Sequence, residues 1–272
     1  MGFRISKCRR GEWIINTKLE KHDDQVSLVT LNRPEKLNSL NPQLMLEIEQ
    51  VSQELSKDAN TRVVIFTGAG KHFCGGVDLS DLPEPKTVLE NLRRLESGPV
   101  MIEKINKMNP ITIAAINGGA YGGGACIAAA CDFRIGAENC KVGFPESKLG
   151  MNLSWRALPL VLRLIGPANA KEMVILGKGY NAETLLKWGF ISKTVPNGNL
   201  LDSAFEMAHE YARMPPIPAQ MIKKSINRLS SAMDDSIMHM DSDQWLLTAG
   251  TKDFTEGISA FFEKREATFK GD

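Results

Sequence analysis

An α/β fold that gives way to an all-helical tail is what this sequence predicts, on three observations. Short apolar, β-branched runs alternate with helix-like periodicities through the first two thirds of the chain, the pattern of strands covered by helices. Two of those runs stop at glycine-rich turns. After about residue 196 the alternation ceases and only helical spacing remains. A core over residues 1–197 and a helical region over residues 198–272 are therefore expected.

Gln25–Leu31 (QVSLVTL) reads as a strand. Over Pro42–Lys57, Leu44, Ile48, Val51 and Leu55 fall on one helical face. Asn41 is placed to cap that helix, and Pro42 stands at its first position, where a missing N–H costs nothing. Arg62–Thr67 (RVVIFT) is a buried strand that ends at Gly68, Ala69 and Gly70. Leu82–Lys86, with two prolines, is a loop, and a long amphipathic stretch runs from there to about Lys107. Ile111–Ile116 (ITIAAI) is another buried strand, Gly123–Cys131 a helix of small residues, and Phe133–Ile135 a resumed strand. In the tail, helices are expected over Leu200–Met214, Pro218–Ser231, Asp234–Thr248 and Phe254–Arg265. No repeat, heptad run or low-complexity linker interrupts this plan.

Basic and acidic residues nearly cancel, leaving a net charge of +1. That lacks the basic excess of a nucleic-acid binder. No apolar run approaches the roughly 18 residues that span a bilayer, so no membrane partner is expected. The segment Met1–Glu12 carries Arg4, Lys7, Arg9 and Arg10 without an apolar stretch after them, unlike a secretory signal. A cytoplasmic protein is expected, or one of the mitochondrial matrix if the source is eukaryotic. Five cysteines (Cys8, Cys74, Cys126, Cys131 and Cys140) form no disulfide framework and are expected to be free and mostly buried. Neither they nor His22, His72, His209 and His239 have metal-ligand spacing, so no metal is expected.

The two glycine-rich turns carry the first chemical signal. Phe73–Leu79 (FCGGVDL) follows the strand Arg62–Thr67, and Asn117–Gly124 (NGGAYGGG) joins the strand Ile111–Ile116 to a helix. Glycines there either shape turns or bare backbone N–H groups at a helix N-terminus, where negative charge is favoured. Two such turns converging would make an oxyanion hole. A dinucleotide loop does not fit, because the G-x-G-x-x-G spacing is not met. Glu146, in Gly143-Phe144-Pro145-Glu146, is either a surface loop acid or a carboxylate desolvated by apolar neighbours. In the second case its pKa rises and it can take or give a proton near neutrality.

These residues together resemble the enoyl-CoA hydratase/isomerase (crotonase) superfamily. Asn32–Leu40 (NRPEKLNSL) is similar to the family's N-R-P-x-x-x-N-A-L signature, Phe73–Leu79 to F-x-x-G-x-D-L, and Ala114–Gly124 to A-A-x-x-G-x-x-x-G-G-G. Cys131-Asp132, Phe144-Pro145-Glu146 with Leu149-Gly150, Gly177–Val195, Asp253–Gly257 and Phe261–Arg265 continue the likeness in order, over nearly the whole chain. The resemblance implies a spiral of ββα units with a C-terminal helical trimerisation region, and a homotrimer or a hexamer of two trimers. The substrate implied is an acyl-CoA thioester, with coenzyme A part of the substrate rather than a cofactor.

Carried over position by position, the resemblance makes Val77 and Gly123 the oxyanion-hole donors, flanked by Gly76, Asp78 and Gly122. Lys36 and Leu37 would lie near the CoA nucleotide, with Phe261 and Lys264 of a neighbouring subunit closing over it. Family hydratases use two glutamates. One matches Glu146, and the other falls at Cys126. A dienoyl-CoA isomerase would have an acid at Ser154. Neither a thiol nor a hydroxyl serves as an ordinary carboxylate base. A nucleophilic Cys126 at a helix N-terminus is a further reading. One carboxylate suffices to move a proton between two carbons, which points to double-bond isomerisation through Glu146. Single-glutamate hydration or hydratase-lyase chemistry, hydrolysis or decarboxylation, and a non-catalytic CoA-binding oligomer stay open. Met151 and Trp155, in a turn without the Pro-Gly-Ala-Gly-Gly run of hydratases, either reshape an acyl pocket or belong to the core.

Overall fold

The computed structural model of the chain describes residues 12–81 and 87–272, with side chains from residue 15 onward. The loop expected over Leu82–Lys86 and the segment with Cys8 lie outside the described residues. The strands are β1 (Glu12–Ile14), β2 (Thr17–Lys21), β3 (Val26–Leu31), β4 (Val63–Gly68), β5 (Ile111–Ile116), β6 (Gly119–Tyr121), β7 (Phe133–Ala137), β8 (Lys141–Gly143), β9 (Tyr180–Asn181) and β10 (Lys193–Val195). Seven of them form one sheet in the order β1-β2-β3-β4-β5-β7-β10. The pairs β1–β2 and β2–β3 are antiparallel, and β3 through β10 run parallel. A small sheet, β6-β8-β9, stands beside it.

The helices are α1 (Pro42–Lys57), α2 (Val88–Leu95), α3 (Ser97–Asn106), α4 (Gly123–Ala130), α5 (Ala157–Leu176), α6 (Ala182–Trp188), α7 (Leu200–Ala212), α8 (Pro216–Ser230), α9 (Asp235–Met238), α10 (Asp241–Ala249) and α11 (Lys252–Glu263). This is the mixed α/β architecture with a parallel sheet and a helical C-terminal part that the sequence predicts. Helix α1 is capped as read: Leu44 N donates to Asn41 Oδ1 at 2.8 Å.

The central strands read as continuous apolar runs because they are buried on both faces. In β4, Val64 and Phe66 join one core with residues of α1, α3, α4 and α5. Val63 and Ile65 join a second core with Leu200, Ala204, Ala208 and Ala212 of α7. The alternation repeats in β5, with Ala114 and Ile116 on the first face and Ile113 and Ala115 on the second. The first helix of the tail is thus packed against the sheet.

The structure corrects two helix boundaries. The amphipathic stretch before Lys107 is two helices, α2 and α3, that meet at Glu96. Pro99, which has no N–H, stands in the first turn of α3, where that donor is not needed. The helix expected over Asp234–Thr248 breaks at His239 and Met240 into α9 and α10. Asp241 there is buried, and Arg156 N donates to its Oδ2 at 3.1 Å. That hydrogen bond joins the start of α10 to the segment just before α5.

Helix α8 is tied to the sheet by a buried ion pair. Lys223 Nζ lies 2.6 Å from Asp132 Oδ2 and donates to the Pro110 carbonyl at 2.6 Å. Asp132 Oδ2 also accepts from Thr112 N at 2.8 Å and Thr112 Oγ1 at 3.0 Å. The four described cysteines are free and buried, as expected. Among the described residues, no helix is long and apolar enough to cross a membrane.

Candidate active site

Three loops meet at one end of the parallel sheet. The first, Asn32–Leu40, folds around two buried polar side chains. Asn38 Oδ1 accepts from Arg33 N at 2.9 Å, and Asn38 Nδ2 donates to the carbonyls of Ala69 (2.9 Å) and His72 (2.7 Å). Asn38 so joins this loop to the one that follows β4. Arg33 joins them a second time, with its Nη2 3.2 Å from Asp78 Oδ2 and its Nη1 donating to the Ser39 carbonyl at 2.6 Å.

The second loop, Phe73–Leu79, runs parallel to residues 37–40. Leu40 N donates to the Gly76 carbonyl at 2.7 Å, and Asp78 N donates to the Leu40 carbonyl at 2.9 Å. Backbone groups of successive extended residues point to opposite sides. With Gly76 and Asp78 turned towards Leu40, the Val77 N–H faces the other way, into the cavity that Val77 lines.

The third loop leads into α4. Gly122 has φ 50° and ψ −120°, a conformation that favours glycine, and its N–H donates to the Gly143 carbonyl at 3.0 Å. The next residue, Gly123, opens α4, so its N–H belongs to the first turn, which has no intrahelical acceptor. Gly76, with φ 99°, lies so close that a Cβ there would stand 2.9 Å from the Tyr121 carbonyl. The two glycine turns therefore converge.

Glu146 comes from the short 3-10 helix Glu146–Leu149, just after the buried Phe144 and the half-buried Pro145. Its Oε1 lies over Gly122, 3.0 Å from where a Cβ on that residue would be. Its Oε2 is buried without a hydrogen-bond partner. Burial, slightly opposed by a backbone hydrogen bond, pushes its pKa up from 4.5 to about 7. A carboxyl poised there can accept a proton and return it.

A stability effect follows from that shift. Unfolded, the Glu146 carboxyl titrates near 4.5; folded, near 7. Between these values the folded chain binds the extra proton, so stability falls as pH rises through the window, by up to about 3 kcal/mol. Thermal melts across this range are expected to show the wild type losing stability relative to Glu146→Gln as pH rises, with the difference constant above the folded pKa.

Val77, Gly123, Glu146, Gly76, Gly122, Leu37 and Phe261 all line one cavity of about 800 Å³. Of the other residues named from the sequence, Met151 lines it too, whereas Asp78, Lys36, Cys126, Ser154, Trp155 and Lys264 do not. Asp78 is buried, and burial alone would raise its pKa. The Ser80 and Arg33 hydrogen bonds outweigh that and hold it below the usual carboxylate value. Asp78 fixes the loop that presents Val77 rather than facing the cavity. Lys36 is exposed beside Leu37. Ser154 turns its carbonyl to Ala157 N at 3.4 Å.

Cys126 lies buried one turn into α4. Burial, and then the nearby Glu146 and Asp241 carboxylates, push its thiol well above the ordinary range. It stays protonated, which sets aside the nucleophile reading. Phe261 lines the cavity of its own chain, and Lys264 does not line it. The reason is a reversal at Lys264 (φ 55°), after which the chain runs back along α11. Lys270 N and Gly271 N donate to the Asp253 carboxylate at 2.7 and 2.8 Å, and Arg265 donates to both oxygens of Glu256 at 2.5 and 2.8 Å. This brings Arg265 and Phe269 to the cavity, along with His72 and Tyr121 of the glycine turns. The sequence did not single out these four; His72 and Tyr121 lie within or beside the motifs, but Phe269 carries no local signal.

Backbone N–H groups from two glycine turns beside one desolvated carboxyl are the parts that an enzyme of carbonyl-activated proton transfer would use. The model of the family Enoyl-CoA hydratase/isomerase matches residues 21–272, and the chain belongs to that family. It is 32% identical over 252 residues to the short-chain-enoyl-CoA hydratase of Clostridium acetobutylicum, covering 92% of this chain and 96% of the relative. It is equally 32% identical over 252 residues to the 1,2-epoxyphenylacetyl-CoA isomerase of Escherichia coli, covering 90% and 95%. Among solved structures, an enoyl-CoA hydratase from Bacillus anthracis superimposes with a TM-score of 0.76 at 32% identity, over 94% of this chain and all of that one. The protein is therefore an acyl-CoA enzyme of the crotonase superfamily.

Proposed function

We propose that this enzyme shifts the double bond of an enoyl-CoA, with Glu146 as its sole acid and base. The observation that carries this reading is that, of the two acids lining the cavity, Glu146 alone has a buried carboxyl oxygen, its unpartnered Oε2, while Glu266 is exposed. The Val77 and Gly123 N–H groups would hold the thioester oxygen as the enolate forms. Glu146 would remove a proton from one carbon and return it to another. Leu37 and Phe261, at the mouth, would contact the CoA moiety. A homotrimer, or a hexamer of two trimers, in the cytoplasm is part of the same reading. It is supported by the row of exposed apolar residues on α8, among them Ile217, Met221, Ile226 and Leu229.

Hydration is the second reading, favoured by the several relatives named hydratases. The two separate in one assay. The protein is incubated in D₂O with a 3-enoyl-CoA and, separately, with a 2-enoyl-CoA, and the products are weighed by mass spectrometry. Conversion of the 3-enoyl substrate without 3-hydroxyacyl-CoA is expected. Ready formation of 3-hydroxyacyl-CoA would make hydration the reaction.

A further inference from the structure

Trp155 occupies an unusual place. Trp155 and Arg156 are consecutive residues with left-handed backbone, φ 66° and 53°, which side-chained residues rarely adopt. The buried carboxylate of Asp241 holds both, accepting from Arg156 N at 3.1 Å and from the Trp155 N–H. So held, the indole enters the gap between α3 and the start of α4. A Cβ on Gly98 would stand 2.1 Å from Trp155 Cε2, and a Cβ on Gly123 would stand 2.5 Å from Trp155 Cζ3. Two glycines on two helices thus make room for one ring.

Gly123 also offers the N–H that faces the thioester oxygen. The cavity opens to solvent past the exposed Leu37, Phe261 and Phe269, where the bulky CoA moiety must lie. The acyl chain must therefore run inward past Glu146, to the side of Gly123 where the indole stands. We infer that Trp155, which stands behind Gly123 and outside the residues that line the cavity, fills the space into which a long acyl chain would extend and so limits the enzyme to short acyl chains, with Asp241 as the residue that positions it. The inference rests on the acyl-CoA reading of this site and adds the substrate's chain length.

The test is calorimetric binding of butyryl-, octanoyl- and dodecanoyl-CoA, saturated thioesters on which neither isomerisation nor hydration can act. The wild type is expected to gain no affinity beyond butyryl-CoA. Trp155→Ala is expected to raise the dodecanoyl-to-butyryl affinity ratio by about tenfold or more, the amount that burying two further methylenes supplies. Trp155→Phe should raise it less. Asp241→Asn should move the ratio in the same direction, which a purely structural role for Asp241 would not do. A wild type that binds dodecanoyl-CoA at least tenfold tighter than butyryl-CoA overturns the inference. So does a ratio left unchanged by Trp155→Ala, or by Trp155→Phe if the alanine variant does not fold. Failure of the wild type to bind any of the three would overturn the acyl-CoA reading of the cavity, and the chain-length inference with it.

Discussion

Glu146→Gln is expected to lower kcat by about 10²–10⁴ while leaving the affinity for a saturated acyl-CoA within a few-fold of the wild type. Glutamine keeps the shape of the side chain and its place over Gly122, so the cavity and the Val77 and Gly123 N–H groups stay as they are. What it removes is the one acid among the described cavity-lining residues with a buried carboxyl oxygen, its pKa pushed up to about 7. Steady-state kinetics beside calorimetry separates the two quantities. Full turnover by the variant with every enoyl-CoA tried would show that another group is the base.

The second large effect is on stability. Lys223→Ala is expected to destabilise the fold by about 3 kcal/mol, because it leaves the largely buried Asp132 carboxylate without the ammonium beside it. For a chain of this size that corresponds to a fall in Tm of roughly 10 °C. Thr112 still donates to Asp132 twice, but two neutral donors do not replace an ammonium 2.6 Å away. Asp132→Asn combined with Lys223→Met removes both charges and is expected to recover much of the loss. Binding of acyl-CoA by the surviving folded fraction should be unchanged, since neither residue lines the cavity. A single variant that melts within about 1 °C of wild type would mean that the Lys223–Asp132 pair contributes no net stability.

Periodicity made the large elements legible and left the small ones out. The helix at Pro42–Lys57 and the strand at Ile111–Ile116 match their expected limits, because a capping asparagine and a β-branched run are local signals. Strands β6, β8 and β9 have two or three residues each, too few for any period. Helix α5 bends at Gly166 and Pro167, and was not read. In the site, the ordered motifs pointed to Val77, Gly123 and Glu146, and these line one cavity. They did not give the work of Arg33 and Asn38, which is to tie two loops together through buried hydrogen bonds between residues about 30 or more apart. The hold of Asp241 on residues 155 and 156 was equally out of reach, since a left-handed backbone at a tryptophan has no sequence signature.

The lone Oε2 of Glu146 has an evolutionary consequence. Any substitution that fills or neutralises this position relieves a buried, unpartnered carboxylate, so selection for heat resistance alone should discard Glu146 early. Lineages of this fold that gave up catalysis would then be recognisable by tougher proteins with an amide or an apolar side chain here, and the glutamate persists only where turnover is what selection sees.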